Sequence, residues 1–171
     1  YIAFFVLFLV LFVPAIYGQS NAKVYYDLSL SLPDTLESVK AQNKISKDYQ
    51  LGSANIILLD TGIPAKDVKS LLNEVKDTKG VQMALGLESV LDGSIPDSYL
   101  PEAVTKELKS DKNEMLLFMS EYKTGSDEAN EQCNEVEKII KKYDSNGMLV
   151  GEAACTRDLI KITNKDFATV S

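Results

Sequence analysis

Residues Asn55–Leu87 read NIILLDTGIPAKDVKSLLNEVKDTKGVQMALGL, and this stretch contains a complete supersecondary pattern. Short apolar runs begin and end it, at Asn55–Asp60 and Val81–Leu87. Between them, Pro64–Asp77 places apolar side chains three and four residues apart, as on one stripe of an α-helix. The stripe consists of Val68, Leu71, Leu72 and Val75. We therefore predict a strand, a helix and a second strand, which is a βαβ unit.

The same pattern returns at residues 114–152, which read EMLLFMSEYKTGSDEANEQCNEVEKIIKKYDSNGMLVGE. Glu114–Glu121 and Met148–Glu152 are the predicted strands, and Ser126–Tyr143 is the predicted helix. Its apolar stripe consists of Cys133, Val136, Ile140 and Tyr143. The expected helix boundaries are Pro64 in a first turn, Ser126 or Asp127 as N-cap, and Gly80 and Gly147 as left-handed C-caps.

Two βαβ units in tandem predict an α+β fold of the ferredoxin-like βαββαβ type, an antiparallel four-stranded sheet with both helices on one face. Residues Asp92–Lys112 form an insertion between the units. Upstream, Tyr26–Leu32 alternates like a strand and Glu37–Tyr49 has helical spacing. Asp158–Val170 also has helical spacing.

The chain opens with Tyr1–Tyr17, YIAFFVLFLVLFVPAIY, which contains no charged side chain. A bilayer core needs roughly 20 apolar helical residues. We therefore predict a transmembrane helix over residues 1–20, truncated at its start, and an extracytoplasmic domain over residues 21–171. The alternatives are a cleaved signal peptide, although no Met or basic residue precedes the apolar run, and a buried helix of a soluble protein.

Composition excludes several classes of function. The chain has 25 acidic and 18 basic residues, a net charge of -7 and no histidine. Binding to a phosphate backbone needs clustered Lys and Arg, so nucleic acid is not an expected partner. The lack of histidine removes catalytic triads with a His base and imidazole zinc sites. We expect no enzymatic activity, no cofactor and no metal.

Two further stretches carry a resemblance to a known family. Tyr26–Tyr49 reads YDLSLSLPDTLESVKAQNKISKDY, and Gly151–Phe167 reads GEAACTRDLIKITNKDF. Together with the apolar opening and the βαββαβ body, they resemble the first extracytoplasmic loop of MMPL-type transporters in the resistance-nodulation-division superfamily. The family ends this loop with a Gly and two Asp residues, matched here by Gly151, Asp158 and Asp166. The resemblance implies that residues 158–171 lead towards a second membrane helix.

The resemblance implies an exporter of lipids, drugs or other amphiphiles that is driven by the proton gradient. Its implied partners are the lipid bilayer, a hydrophobic cargo and the remainder of the transporter chain. The family's ion-coupling residues lie in later membrane helices, so none is assigned in this chain. The alternative is a single-pass, membrane-anchored domain that binds an extracellular ligand or partner.

Some smaller motifs have two interpretations each. Asp60-Thr61-Gly62 matches the catalytic tripeptide of aspartic proteases, but that chemistry needs two carboxylates sharing a proton and no second DTG occurs. A capped turn between strand and helix is the favoured interpretation. Cys133 and Cys155 are either a disulfide between the second helix and the last strand or two core residues.

The last two sets of candidates concern motion and cargo. Gly151, Asp158 and Asp166 are either a hinge towards the membrane or a packing glycine with two Asp residues near helix starts, one of them a cap. Residues two apart on a strand share a face, and Met adapts to varied apolar ligands. Parity alone does not say which face the helices cover, so the cleft lining is a hypothesis. Its members are Met83, Leu85, Met115, Leu117 and Met119.

Overall fold

The structure is a computed structural model that describes residues 1–20, 32–87 and 108–170. These residues form five helices and four strands in an α+β arrangement. In chain order the elements are α1 (Ile2–Ser20), α2 (Glu37–Tyr49), β1 (Ser53–Asp60), α3 (Ala65–Asp77), β2 (Val81–Leu85), β3 (Asn113–Ser120), α4 (Asp127–Tyr143), β4 (Met148–Val150) and α5 (Glu152–Val170).

The four strands form one antiparallel sheet in the order β2-β3-β1-β4. The central pair aligns Ile57 with Leu116 along all eight residues of each strand. The edge strand β4 has three residues and pairs Leu149 with Ile57. It is shorter than the predicted Met148–Glu152 because Gly151, at φ 136°, turns the chain into α5.

Helices α3 and α4 lie on one face of this sheet and enclose the core, as predicted from their stripes. Residues two apart on a strand share a face. The alternate, buried residues of the two central strands therefore lie on the side where the buried side chains of α3 and α4 pack. The core consists of Ile57, Leu59, Val68, Leu71, Leu72, Val75, Leu116, Phe118, Val136 and Ile140. Tyr143, the last predicted stripe residue, packs against its edge.

The helix boundaries follow the predictions in part. Ser126 is the N-cap of α4, and its hydroxyl accepts a hydrogen bond from the backbone N–H of Ala129 at 3.1 Å. Pro64 occupies the N-cap position of α3 rather than its first turn. Gly80 is left-handed at φ 81°, but the C-cap residue of α3 is Thr78, two residues earlier. Gly147 is not left-handed, so that prediction is wrong; a Cβ there would lie 2.6 Å from Ile140 Cγ2, and close packing accounts for the glycine.

Helix α5 begins earlier than its apolar spacing predicted. It starts at Glu152, and its first turns bury Ala153, Ala154 and Arg157 beside α4 and the β1–β4 edge. Further along, Leu159 and Ile162 are exposed. The second half of α5 therefore presents apolar side chains that the described part of the chain does not bury.

Three predicted segments have different outcomes. Glu37–Tyr49 is helical as expected, although none of its side chains is buried. The alternating stretch Tyr26–Leu32 lies outside the described residues except for Leu32, which is exposed. The insertion Asp92–Lys112 is described only from residue 108, where Lys109 forms an isolated bridge with Glu114.

A polar contact joins α3 to α4 at the edge of the core. The Tyr143 hydroxyl donates a hydrogen bond to Glu74 Oε1 at 2.6 Å, and Lys142 Nζ donates to the same oxygen. The hydrogen bond from Lys142, and then that from Tyr143, lower the pKa of the Glu74 carboxyl below its ordinary value of 4.5. A carboxyl whose pKa is lowered by folding stabilises the folded state above its unfolded pKa.

We therefore expect Glu74→Gln to lower the melting temperature at pH 7 and to have less effect as the pH falls below 4.5. The contribution is lost as the pH falls through the lowered pKa, because protonation then favours the unfolded chain. Thermal melts of both proteins between pH 7 and pH 2.5 measure this. Glu135→Gln, an exposed position on α4, is the control. A melting difference that is constant with pH contradicts the assignment.

Candidate functional site

The sheet face opposite α3 and α4 is apolar and partly exposed. Along β1, Ile57 and Leu59 are buried, whereas Ile56 and Leu58 between them are only half-buried. The same alternation continues along β3, where Leu116 and its neighbours two residues away face the helices. None of the described helices packs its buried apolar side chains against this second side of the sheet. We call this second side of the sheet the open face.

The strand register arranges the open face into three rows of side chains. Residues paired across antiparallel strands point to the same side of the sheet. The first row contains Met115, Leu58 and Met148, the second Leu85, Leu117, Ile56 and Val150, and the third Met83, Met119 and Ala54. Every residue in these rows is apolar, and the rows form a continuous surface.

All four methionines of the chain lie on the open face. The exposed fraction is 39% for Met83 and 52% for Met148, while Met115 and Met119 are half-buried. Methionine is flexible and polarizable, so it fits apolar partners of different shape. A scattered apolar residue on a surface is ordinary, but a contiguous apolar surface marks an interaction site.

The five predicted cleft residues, Met83, Leu85, Met115, Leu117 and Met119, all lie on the open face. The sequence alone did not determine whether these five residues face the helices. On the central strands the alternate residues are the buried ones, so the predicted cleft residues face away from α3 and α4. Sequence reasoning missed Ile56, Leu58, Met148 and Val150. Their signal was available in the alternation of NIILLD and MLV, but combining it across strands requires the pairing register.

The Asp60-Thr61-Gly62 turn lies at one end of the open face. The backbone N–H of Asp60 donates to Asp144 Oδ2 at 2.8 Å, and the Thr61 hydroxyl donates to the carbonyl of Asp111 at 3.1 Å. Asn146 Nδ2 donates to Asp60 Oδ2 at 3.1 Å. These contacts agree with a turn between β1 and α3, but the N-cap of α3 is Pro64 without a side-chain cap, so the tripeptide does not cap the helix.

The family motif residues occupy three different environments. Gly151 is left-handed and packs its backbone over Asn55. Asp158 accepts a hydrogen bond from Arg157 Nε at 3.0 Å, and Arg157 Nη1 donates to Glu137 Oε2 at 2.8 Å. This ion-pair group joins α5 to α4. Asp166 is exposed, two turns further along α5.

The expectation that one of these two Asp residues caps a helix is wrong. Helix α5 begins at Glu152, so Asp158 and Asp166 both lie inside it. Arg157, the one arginine of the chain, was not singled out by sequence reasoning, although its side chain is 5% exposed and holds the α4–α5 contact. A lone arginine in an acidic chain was the available signal.

Cys133 and Cys155 are free thiols in the structure, so the disulfide interpretation is not supported. Cys133 lies on the side of α4 that faces Arg157, and burial raises the pKa of its thiol. Cys155 is exposed. It precedes Arg157 by two residues, which is about 200° around a helix, and so points away from α4. The core interpretation fits Cys133 alone.

We expect a thiol reagent to modify Cys155 of the folded chain and to leave Cys133 unmodified. The reason is that the thiolate is the reacting form, and Cys133 is both buried and shifted towards its protonated form. Mass spectrometry of the labelled protein, with Cys155→Ser as the control, counts the adducts. Two adducts on the folded chain, or none, contradict the described placement.

Within residues 1–20, 32–87 and 108–170 there is no group of three or more side chains suited to hold a metal ion. In the same ranges, no helix has both the length and the apolar character needed to cross a membrane, so the transmembrane helix predicted over residues 1–20 is not found. The open face, with its continuous apolar rows and four methionines, is the strongest candidate for a functional surface.

No protein-family model matches the chain, and no curated protein matches it.

Proposed function

We propose that this chain is the extracytoplasmic, porter-type domain of a proton-driven exporter of lipids, drugs or other amphiphiles. The observation that carries the proposal is the open face, where three apolar rows and all four methionines lie on one side of the sheet. Ligand surfaces of this kind are lined mainly by hydrophobic side chains. The cargo contacts the open face while the rest of the transporter chain supplies the ion-coupling groups.

The fold we propose is the ferredoxin-like βαββαβ arrangement. It is supported by the connectivity β1-α3-β2-β3-α4-β4, by the strand order β2-β3-β1-β4 and by the position of both helices on one face. The resemblance of the loop-end motif at Gly151, Asp158 and Asp166 to MMPL-type transporters supports the same assignment.

We propose that α1 is embedded in lipid and holds the domain at the membrane. Its 19 residues contain no charged side chain, and those described from Ile2 to Gly18 are exposed. Leaving such a surface in water is unfavourable, since each apolar Å² costs roughly 25 cal/mol. Lipid contact removes that cost.

The location is tested with a membrane-impermeant thiol reagent on intact cells that express the protein containing this chain. Cys155 is the exposed thiol, so a Cys155→Ser variant reports background labelling. The proposal predicts labelling of Cys155 before lysis. Labelling only after lysis places the domain inside the cell and overturns the proposal.

A membrane-anchored binding domain predicts the same location, and the open face also suits it. The two functions differ in transport. A binding domain retains its ligand and moves nothing across the membrane, whereas the proposed exporter loses transport when its open face becomes polar.

A further inference from the structure

The open face ends at a carboxylate on each side of its apolar rows. At one end Asp60 is in register with Asn113 and accepts a hydrogen bond from Asn146 Nδ2. At the other end Glu121 directly follows β3, and its Oε2 accepts from Gln82 Nε2 at 3.0 Å, beside Met83. Both hydrogen-bond donors, Asn146 and Gln82, are neutral amides. Neither hydrogen bond therefore neutralises the charge of its carboxylate.

No basic side chain belongs to the three apolar rows. In the part of the chain that the structure describes, the ion pairs of Lys and Arg involve other acids and leave Asp60 and Glu121 unpaired. The net charge of -7 adds to the same negative field. A ligand that matches this surface must therefore fit both an apolar area and a negative charge at each end.

Such a ligand is a molecule with an apolar body and a positive end. Six residues separate Asp60 from Ala54, which is about 20 Å along a strand. An alkyl chain or fused ring system lying across the rows therefore brings a headgroup within reach of one carboxylate or the other. Because like charges at an interface are strongly unfavourable, an anionic headgroup is disfavoured at both ends.

We infer that the open face selects cationic amphiphiles, with apolar contact supplied by the methionine-rich rows and charge selection by Asp60 and Glu121. The inference rests on the proposed function and names its class of cargo. Electrostatic complementarity contributes more to selection than to total affinity. Exposed pairs are worth about 0.2 to 1 kcal/mol each, so the expected preference is about 1.4- to fivefold per carboxylate.

The test uses two photoreactive amphiphiles with the same diazirine-bearing alkyl chain, one ending in trimethylammonium and the other in sulfonate. The full chain, purified in a neutral detergent, is cross-linked with each probe and digested with trypsin. Label is measured on the β3 peptide Asn113–Lys123 and on the α1 peptide Tyr1–Lys23. The α1 peptide reports how each probe partitions into the micelle, so the β3 label is divided by it.

Two double variants separate local charge from overall charge. Asp60→Asn with Glu121→Gln removes both carboxylates at the open face. Glu131→Gln with Glu135→Gln removes the same charge from the exposed side of α4, away from the sheet. Neither variant changes an apolar row, so binding of the alkyl chain itself is expected to persist in both.

The inference predicts that the normalised β3 label favours the cationic probe about 1.4- to fivefold or more in the unmodified chain. The ratio falls towards one in Asp60→Asn/Glu121→Gln and stays unchanged in Glu131→Gln/Glu135→Gln. Equal label from both probes in the unmodified chain overturns it, as does an equal fall in both variants. Absence of β3 label with both probes overturns the open face as a cargo surface, and with it the proposed function.

Discussion

Replacing Ile140 by Ala is expected to lower the free energy of unfolding by about 2 to 5 kcal/mol. Ile140 is fully buried on α4 and contacts the core between the helices and the sheet. Truncation removes apolar contact and leaves a cavity, because the core collapses only partly. Leu72→Ala on α3 tests the other helix and is expected to fall in the same range.

Urea unfolding of the purified chain, followed by circular dichroism, measures these changes. Ile162→Ala is the matched control because Ile162 is 59% exposed on α5. Surface substitutions of this kind stay within about 0.5 kcal/mol. Near-neutral effects at both Ile140 and Leu72 mean that the helices do not pack on the sheet as described.

The second large loss of stability is expected on replacing Gly52, the residue directly before β1. Its N–H donates to the carbonyl of Ser120 at 2.7 Å, so the two chain segments lie very close. A Cβ on Gly52 would lie 2.5 Å from the backbone carbonyl carbon of Tyr122. Backbone yields less than a flexible side chain, and we expect Gly52→Ala to cost about 1 to 3 kcal/mol.

Gly62→Ala is the matched control for Gly52→Ala. A Cβ at Gly62 meets nothing within 4 Å, and the substitution reduces the freedom of the unfolded chain. We expect no destabilisation, or a gain of up to about 1 kcal/mol. If both alanines have the same effect in urea unfolding, the close approach of Gly52 to the β3 end is not present in solution.

The parts of the fold that were predictable from sequence are those with strong periodicity. Stripes such as Val68–Val75 define a helix and its buried side without reference to anything distant, because both follow from a 3.6-residue repeat. The expected α+β class and the antiparallel sheet follow from having two such units in tandem. The helix from Glu37 to Tyr49 was also identified from its spacing.

What failed depends on contacts between distant residues. Gly147 was assigned by a local rule, whereas its reason is the approach of Ile140 across the helix-to-strand turn. The start of α5 was missed because Glu152–Arg157 packs through small and polar side chains, and these carry no apolar period. The α4–α5 ion pair of Arg157 with Glu137 joins positions 20 residues apart.

The candidate site was predictable in composition and not in orientation. Alternation placed Met115, Leu117 and Met119 on one face, but either face of a strand satisfies alternation. Only the buried side chains of α3 and α4 determine which face is left open. The contributions of Ile56 and Met148 needed the register of β1 with its two neighbours, which no local pattern encodes.

Cargo is proposed to contact the open face of an exporter, and transport by the intact protein containing this chain tests that contact. Met83→Gln with Met119→Gln keeps side-chain length and makes the third row polar. A Met side chain buried against cargo contributes roughly 1.5 to 3 kcal/mol, so export is predicted to fall by about tenfold or more. Ile45→Gln, on the exposed helix α2, is the control and is predicted to export normally. An unchanged rate and cargo range in the Met83→Gln/Met119→Gln variant, with normal folding and protein level, means that cargo does not contact this surface.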